Sequence, residues 1–339
     1  MPSNLETSAA GAPVVITAAT IKDTDNEVVQ TLLGMGCEVR LHGSLLPPTP
    51  TELRALLDGA VAVLAGSEPY PRELLEDCPS LKVISRNGIG YDAIDLAAAT
   101  DCGIVVAFVP DAMVDAVADL TMGLLLGTAR GLTIYDRAMK EGRWHRVLGA
   151  DVAGRTLGLI GTGRIGLAVA RRARAFRLRL VGHDPYPNPL FVEELGGDYL
   201  PLDELLEVSD FVSLHLPAMA ETRGFLGSKE LGRMKPSAFL INCARGSLID
   251  EDALLEALTT GQIAGAGLDV FSSEPPIPDS AADRIARLPN VIATPHVAAA
   301  TPITAAKMGR AALQNLLDVL NGKTPPFVAN GDVLVDRDS

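Results

Sequence analysis

Three residues in the C-terminal half are of types that together can reduce or oxidise a carbonyl group: Arg245, Glu274 and His296. Each follows a run of apolar and β-branched residues: AFLINCA before Arg245, GLDVFSS before Glu274 and NVIATP before His296. An arginine can hold a carboxylate through paired hydrogen bonds and polarise a neighbouring carbonyl. A histidine can give or take a proton near neutral pH, and a glutamate beside it would orient the ring. Ligands of open α/β sheets bind beyond the carboxyl ends of the strands, so three strands could deliver these side chains to one crevice. By residue type alone, each is explained equally well as an ordinary surface residue.

A second pattern is Gly161-Thr162-Gly163-Arg164-Ile165-Gly166, which reads G-x-G-x-x-G. With 32 glycines in the chain such a match is cheap, but its context is informative. The motif directly follows the strand-like TLGLI and opens the helical RIGLAVARRARAF, and the next strand-like run ends in Asp184. That is the arrangement of a dinucleotide-binding unit. Gly161 allows the tight turn, Gly163 lets backbone N–H groups approach a pyrophosphate, and Gly166 lets the helix pack closely on the strand. The helix N-terminus adds partial positive charge. Asp184 can accept hydrogen bonds from a ribose 2′-hydroxyl and would repel a 2′-phosphate, so NAD is expected over NADP.

These residues need a scaffold, and 339 residues suggest two domains. From Val14, the runs VVITA, CEVRLH, AVAVLAG, LKVIS and GIVVAFV alternate with helical DNEVVQTLLGMG, PTELRALLDG and PRELLEDC. The same alternation resumes with TLGLIG and RLRLVGHD, followed by DFVSLHL, AFLINCA, IAGAGLDV and NVIATPH. Two such series predict two parallel sheets covered by helices. The first series has TAATIKD after its first strand, with no phosphate-type glycine loop. Between the series one long helix is expected from Asp111 to Glu141, its apolar first half buried between domains or subunits. A final helix is expected over Pro302 to Asn321.

Composition narrows the function classes. The chain is 47% apolar and 21% charged, which argues against disorder. Its formal net charge of −13 argues against nucleic acid and anionic membrane surfaces as partners. The first residues, MPSNLETSAAGAP, are small and polar with no signal-peptide pattern, and are expected to be disordered. The apolar stretch from Val114 to Ala129 is interrupted by Asp115 and Asp119 and is too short for a membrane span. Cys37, Cys78, Cys102 and Cys243 show neither disulfide nor zinc spacing, and a cytoplasmic location is expected.

Six segments carry a resemblance: 85–100 (SRNGIGYDAIDLAAAT), 154–166 (GRTLGLIGTGRIG), 214–225 (LHLPAMAETRGF), 240–258 (LINCARGSLIDEDALLEAL), 267–276 (GLDVFSSEPP) and 294–301 (TPHVAAAT). In order and spacing they resemble the D-isomer-specific 2-hydroxyacid dehydrogenases, the group that includes phosphoglycerate, hydroxypyruvate and D-lactate dehydrogenases. The resemblance implies a substrate-binding domain of flavodoxin-like type, formed by residues 1–110 and 300–339, with a Rossmann-type NAD domain, 111–299, inserted. It assigns Arg245 to substrate, Glu274 to the histidine and His296 to acid/base work. The substrate carboxylate would be received by Asn87, Gly88, Ile89 and Gly90, with Arg86 beside them. Arg164 and Ile165 would face the pyrophosphate. Leu216, Pro217, Cys243, Ala244, Asp269, Ala298 and Ala299 would line the rest of the cofactor site. The implied reaction has Arg245 anchoring a 2-oxo acid while NADH delivers hydride to C2 and His296 protonates the oxygen. A small 2-oxo or 2-hydroxy acid is then the substrate, and a homodimer the assembly. The alternative is an NAD(H)-binding regulator resembling the C-terminal-binding-protein corepressors, which retain the same three residues.

The chain also departs from the family pattern. Phe108 to Met113 reads FVPDAM where N-T-P-G-A-N is common, Ala93 replaces an asparagine, and Asp101 stands where phosphoglycerate enzymes often carry a basic residue. Ile89 occupies the position of the phosphite dehydrogenases' lysine. Arg86 is the residue left for an anionic substituent.

Overall fold

The computed structural model describes residues 11–146 and 148–333. The expectation of disorder at the N-terminus falls, for residues 1–10, outside the described residues. The chain forms two compact units: one comprises the residues up to Met113 and from Ala300 onward, the other Val114–Ala299.

In the first unit the order is β1 (Pro13–Ile16), α1 (Glu27–Gly34), β2 (Glu38–Leu41), α2 (Pro50–Leu57), β3 (Ala62–Ala65), α3 (Arg72–Glu76), β4 (Val83–Arg86), α4 (Leu96–Asp101) and β5 (Val105–Ala107). The second unit holds α5 (Val114–Arg130), α6 (Leu132–Lys140), β6 (Thr156–Ile160), α7 (Arg164–Ala175), β7 (Arg179–His183), α8 (Pro189–Glu193), β8 (Asp198–Tyr199), α9 (Leu202–Val208), β9 (Phe211–Leu214), α10 (Ser228–Leu231), β10 (Phe239–Asn242), α11 (Glu251–Thr260), β11 (Gly265–Leu268), α12 (Ala281–Ala286) and β12 (Val291–Ala293). The chain then returns to the first unit with α13 (Pro302–Leu320).

The first unit's sheet is parallel, in the order β2-β1-β3-β4-β5, which is the flavodoxin-like arrangement. Both faces are covered, so its central strands are largely apolar, while edge strand β2 carries Glu38 and Arg40. Val14, Ile16, Ala62, Leu64, Val83 and Val105 point to one face, which α1 and α13 cover. Val15, Val63, Ala65, Ile84 and Val106 point to the other, under α2, α3 and α4. The turn into α2 is set by a capping box, in which Thr49 accepts from the Glu52 N–H while Glu52 accepts from the Thr49 N–H.

The second unit's sheet, β12-β11-β10-β9-β6-β7-β8, is also parallel throughout. Its strand order reverses between β6 and β9, the switch point at which a Rossmann sheet binds its ligand.

The long helix expected from Asp111 to Glu141 is two helices. Gly131 adopts φ 61°, a left-handed conformation, and α5 and α6 bend by 67° there. No single helix among the described residues is long and apolar enough to cross a membrane. Within its own unit, α5 packs its apolar residues against α7, β10, β11 and β12. A Cβ on Gly267 of β11 would lie 2.9 Å from Leu124, and one on Gly127 would lie 2.8 Å from the Ile292 side chain. The two aspartates that interrupt the apolar run meet α7: Arg172 donates to Asp119 at 2.6 Å and to Asp115 at 2.9 Å.

Candidate active site

His296 and Glu274 come together beyond the ends of β12 and β11. His296 Nδ1 lies 2.6 Å from Glu274 Oε2, with the two side chains 40% and 34% exposed. The histidine sits in a left-handed backbone conformation, φ 52°, uncommon for residues other than glycine and adopted most readily among them by asparagine, aspartate and histidine. Asp269, 1% exposed, holds that turn. Its Oδ1 accepts from Thr294 Oγ1 at 2.5 Å and from the Val297 N–H at 2.9 Å, and its Oδ2 accepts from the Ala298 N–H at 2.9 Å. The His296 N–H donates to the Asp269 carbonyl at 2.8 Å. A buried carboxylate with three donors is satisfied, and losing it would orphan two backbone N–H groups. Asp269, expected among the cofactor-lining residues, has its carboxylate in the loop that carries His296.

The Glu274 turn is anchored as firmly. Glu274 Oε1 accepts from the Phe271 N–H at 3.2 Å. One step back, Glu251 at the start of α11 takes the Ser272 N–H at 2.8 Å and the Ser272 hydroxyl at 2.5 Å. Arg245 follows β10, with Nη1 donating to the Ala244 carbonyl at 2.7 Å, and its own carbonyl accepts from Asn242 Nδ2 at 2.8 Å. Gly246 ties this turn to the previous one: a Cβ there would lie 1.9 Å from the Phe271 carbonyl carbon. The Arg245 and Glu274 turns are therefore in backbone contact. Glu251 and Gly246 escape sequence reasoning because one reads as a routine first-turn acid and the other as a routine turn glycine.

At the switch point, Gly161 has φ 96°, and a Cβ on it would lie 2.6 Å from the His215 carbonyl just past β9. A Cβ on Gly166 would lie 2.2 Å from the Gly161 carbonyl, so the helix can approach only as glycine. At Gly163 a Cβ would meet nothing within 4 Å, and no side chain caps α7. The N-terminus of this 12-residue helix thus presents open backbone, a fitting seat for a pyrophosphate. Arg164 is exposed and Ile165 half-buried on its first turn. Asp184 Oδ2 accepts from the Thr162 N–H at 2.7 Å, and Oδ1 from the Tyr186 N–H at 2.8 Å. Thr162 in turn pairs with the Tyr199 hydroxyl at 2.6 Å, so a tyrosine from β8 steadies the turn that holds Asp184, the acid expected at the ribose. Leu216 and Pro217 follow β9, Cys243 and Ala244 follow β10, and Ala298 and Ala299 follow β12, all on this one sheet edge. Burial pushes the Cys243 thiol up to about 12, leaving it a neutral lining group.

The segment proposed for the substrate carboxylate, Asn87 to Gly90, belongs to the first unit, directly after β4. Asn87 Nδ2 donates to Thr20 Oγ1 at 2.9 Å. Arg86 Nη1 donates to the Ala65 carbonyl at 3.2 Å. Asp101 pairs with Arg72 at 2.9 Å. Among the described residues, no cluster of histidine, cysteine and carboxylate side chains is arranged to hold a metal.

His215 illustrates a packed histidine. Part of the residue reaches the surface, but burial of the ring pushes its pKa down to about 4, and Nε2 lies 3.0 Å from Ser213 Oγ. The unfolded chain takes up this proton near pH 6.5, the folded chain only near 4, so stability falls as pH drops through that window. The loss is at most about 3 kcal/mol. Urea midpoints at pH 7 and about pH 4.5 should differ less in His215→Asn than in the parent; identical differences would show that the ring titrates freely.

A doubly wound parallel sheet with an uncapped glycine turn at its switch point, an acid at the next strand end and a histidine–glutamate pair defines a dinucleotide-dependent oxidoreductase. Residues 122–298 match the family model described as D-isomer specific 2-hydroxyacid dehydrogenase, NAD binding domain. The chain is 42% identical over 286 residues to a glyoxylate reductase of Korarchaeum cryptofilum, covering 83% of this chain and 85% of the relative. It is 40% identical over 281 residues to a D-3-phosphoglycerate dehydrogenase of Methanocaldococcus jannaschii, covering 82% of this chain and 53% of that one. The crystal structure of an NADPH-dependent glyoxylate/hydroxypyruvate reductase from Sinorhizobium meliloti, bound to NADP and malonate, superposes with a TM-score of 0.79. It is 32% identical and covers 94% of this chain and 97% of that one. The chain belongs to the D-isomer specific 2-hydroxyacid dehydrogenase family, as an enzyme with NAD as its cofactor. Relatives named as reductases and dehydrogenases favour the enzyme over the corepressor-like regulator.

Proposed function

We propose that this chain reduces a small, unphosphorylated 2-oxo acid, with glyoxylate the leading candidate, to the corresponding 2-hydroxy acid. The observation that carries the reading is the 2.6 Å His296–Glu274 pair on a turn held by buried Asp269. When bound, NADH supplies the hydride that becomes the new C2 hydrogen. His296, with Nδ1 on Glu274, presents Nε2 and gives its proton to the substrate oxygen; in the oxidative direction it takes that proton back. Glu274 fixes the ring's tautomer and orientation. Arg245 holds the substrate carboxylate and draws electron density from the carbonyl oxygen. In the first unit, the backbone N–H groups of the 87–90 segment are proposed, from the family resemblance, to receive a substrate carboxylate.

Three features favour an unphosphorylated substrate. Arg86 Nη1 is already engaged by the Ala65 carbonyl, and Asp101 is an acid where a base would suit a phosphate. The Korarchaeum relative's name points the same way. Asp184 favours NADH over NADPH by repelling a 2′-phosphate. The assembly is proposed to be a homodimer, supported by the exposed Leu132, Met139, Trp144 and Leu148 along and after α6. Sedimentation velocity returning only monomer would remove that part.

The test is cofactor oxidation with glyoxylate, hydroxypyruvate, phenylpyruvate, 2-oxoisocaproate and phosphohydroxypyruvate, each with NADH and NADPH. Glyoxylate or hydroxypyruvate with NADH should turn over fastest. Phosphohydroxypyruvate turning over fastest would overturn the substrate assignment, and equal rates with NADPH the role of Asp184.

A further inference from the structure

The first unit has its own switch point, between β1 and β3, where a flavodoxin-like sheet ordinarily receives an anionic ligand. Here one of the chain's own side chains fills it. Glu68 is 2% exposed, and its Oε1 accepts from the Thr17 hydroxyl, from the Gly66 N–H at 3.0 Å and from the Tyr70 hydroxyl at 2.7 Å. Thr17 and Tyr70 are 3% and 0% exposed. Glu68 Oε2 is buried with no hydrogen-bond partner among the described residues. It lies 2.6 Å from the position a Cβ on Gly66 would take, so only glycine admits the carboxylate there. The donors that would greet a phosphate at such an edge, a hydroxyl after β1 and a backbone N–H after β3, are turned onto this internal acid.

What the acid holds is more telling than its burial. Its turn, residues 65–70, is bonded to both ends of the loop that follows β4. At one end the Ala65 carbonyl accepts from the Asn87 N–H at 3.0 Å and from Arg86 Nη1 at 3.2 Å. At the other the Tyr70 N–H donates to the Ala93 carbonyl at 2.9 Å, and the Asp95 N–H donates to the Tyr70 carbonyl at 3.0 Å. The peptide joining Ala65 to Gly66 is gripped on both sides, by Arg86 at its carbonyl and by Glu68 at its N–H. A loop tied at both ends to one turn, itself anchored by the buried Glu68 and Tyr70, has little freedom in the direction of its amides, and that direction decides how well they receive an anion.

We propose that Glu68 is a positioning residue for substrate binding: a buried hydrogen-bond acceptor at the β1–β3 switch point that locks the 65–70 turn and, through it, the 87–90 segment. This rests on the assignment of that segment to the substrate carboxylate. Glu68 acts through other groups, so it should govern KM for the 2-oxo acid and leave hydride transfer and NADH affinity alone.

The test compares Glu68→Ala, Glu68→Gln and Tyr70→Phe with the parent enzyme. Glu68→Ala should raise KM for glyoxylate about tenfold or more, with kcat within about threefold and the calorimetric Kd for NADH unchanged. Glu68→Gln, whose amide oxygen still accepts, should restore most of the loss. Amide hydrogen exchange across residues 87–95 should accelerate in Glu68→Ala. A folded Glu68→Ala enzyme with parental KM and parental exchange would overturn the proposal. Should that variant not fold, Tyr70→Phe removes one of the three donors at nearly constant volume. It is expected to raise KM about two- to fourfold and to speed exchange in the same segment, and no change in either overturns the proposal. If the parent enzyme reduces none of the 2-oxo acids, the functional assignment fails separately, and the exchange data alone decide whether Glu68 holds the loop.

Discussion

Replacing His296 with asparagine is expected to cut turnover by about 10²- to 10⁴-fold, the usual worth of a positioned acid/base group. Asparagine is the informative choice because the backbone at this position is left-handed, at φ 52°. Asparagine tolerates that conformation, whereas alanine would add backbone strain to the loss of the imidazole. The turn itself should survive, since its bonds to Asp269 run through backbone N–H groups and Thr294. The melting temperature and the NADH dissociation constant should therefore stay at parental values while kcat collapses. Glu274→Gln should fall between the two enzymes, because the imidazole remains but loses its charged partner. Turnover of His296→Asn close to that of the parent would mean that another group supplies the proton.

The second large effect is expected from the smallest change, Gly246→Ala. The added Cβ would lie 1.9 Å from the Phe271 carbonyl carbon and 2.3 Å from both the Phe271 oxygen and the Ser272 nitrogen. All three are backbone atoms, so rotating a side chain cannot relieve the clash. The 271–274 turn must move, and Glu274 with it. Overpacking of this kind costs about 1–3 kcal/mol or more in stability. A misplacement of about 1 Å in the catalytic pair can cost about 10²-fold in rate. Thermal melts and steady-state kinetics should record both losses. Gly163→Ala is the natural control: its Cβ meets nothing within 4 Å, so folding should be preserved. A Gly246→Ala enzyme with parental stability and kcat would show that the 271–274 turn yields freely and does not define the site.

Much of this architecture is legible in the residues. Strands buried on both faces are near-continuous apolar runs, which is why VVITA, AVAVLAG and AFLINCA stand out. The glycine loop is recognisable because its constraints are local: Gly166 must be glycine owing to a carbonyl five residues earlier, at Gly161. Gly131 was harder to see. The residues on either side of it continue a helical pattern, and a single glycine is tolerated within helices, so the bend shows only in its positive φ. The two-residue strand β8 is too short to carry periodicity. Asp269, Glu251, Tyr199 and Glu68 share a different obstacle. Each has a partner distant in sequence, and an acid or tyrosine near a strand end has the same local signature whether it meets a ligand, a solvent molecule or its own backbone. The place of α5 was hard to read for a related reason: its apolar breadth identifies a buried helix but not what buries it, and within its own unit it packs on α7, β10, β11 and β12.

The placement of α13 has a consequence for how the molecule comes into being. This helix supplies Ala312, Leu313, Leu316, Leu317 and Val319 to one face of the first sheet, and Ser85 on β4 donates its hydroxyl to the Ala312 carbonyl at 2.7 Å. The strands it covers leave the ribosome before the whole of the 114–299 unit, and α13 leaves after it. The 114–299 unit, by contrast, is one uninterrupted stretch. Synthesis therefore delivers a complete second unit while the first still has an open apolar face. The unit begun before the insertion is finished after it, and the nascent chain must shelter that sheet from neighbours for the whole time the second unit takes to be made.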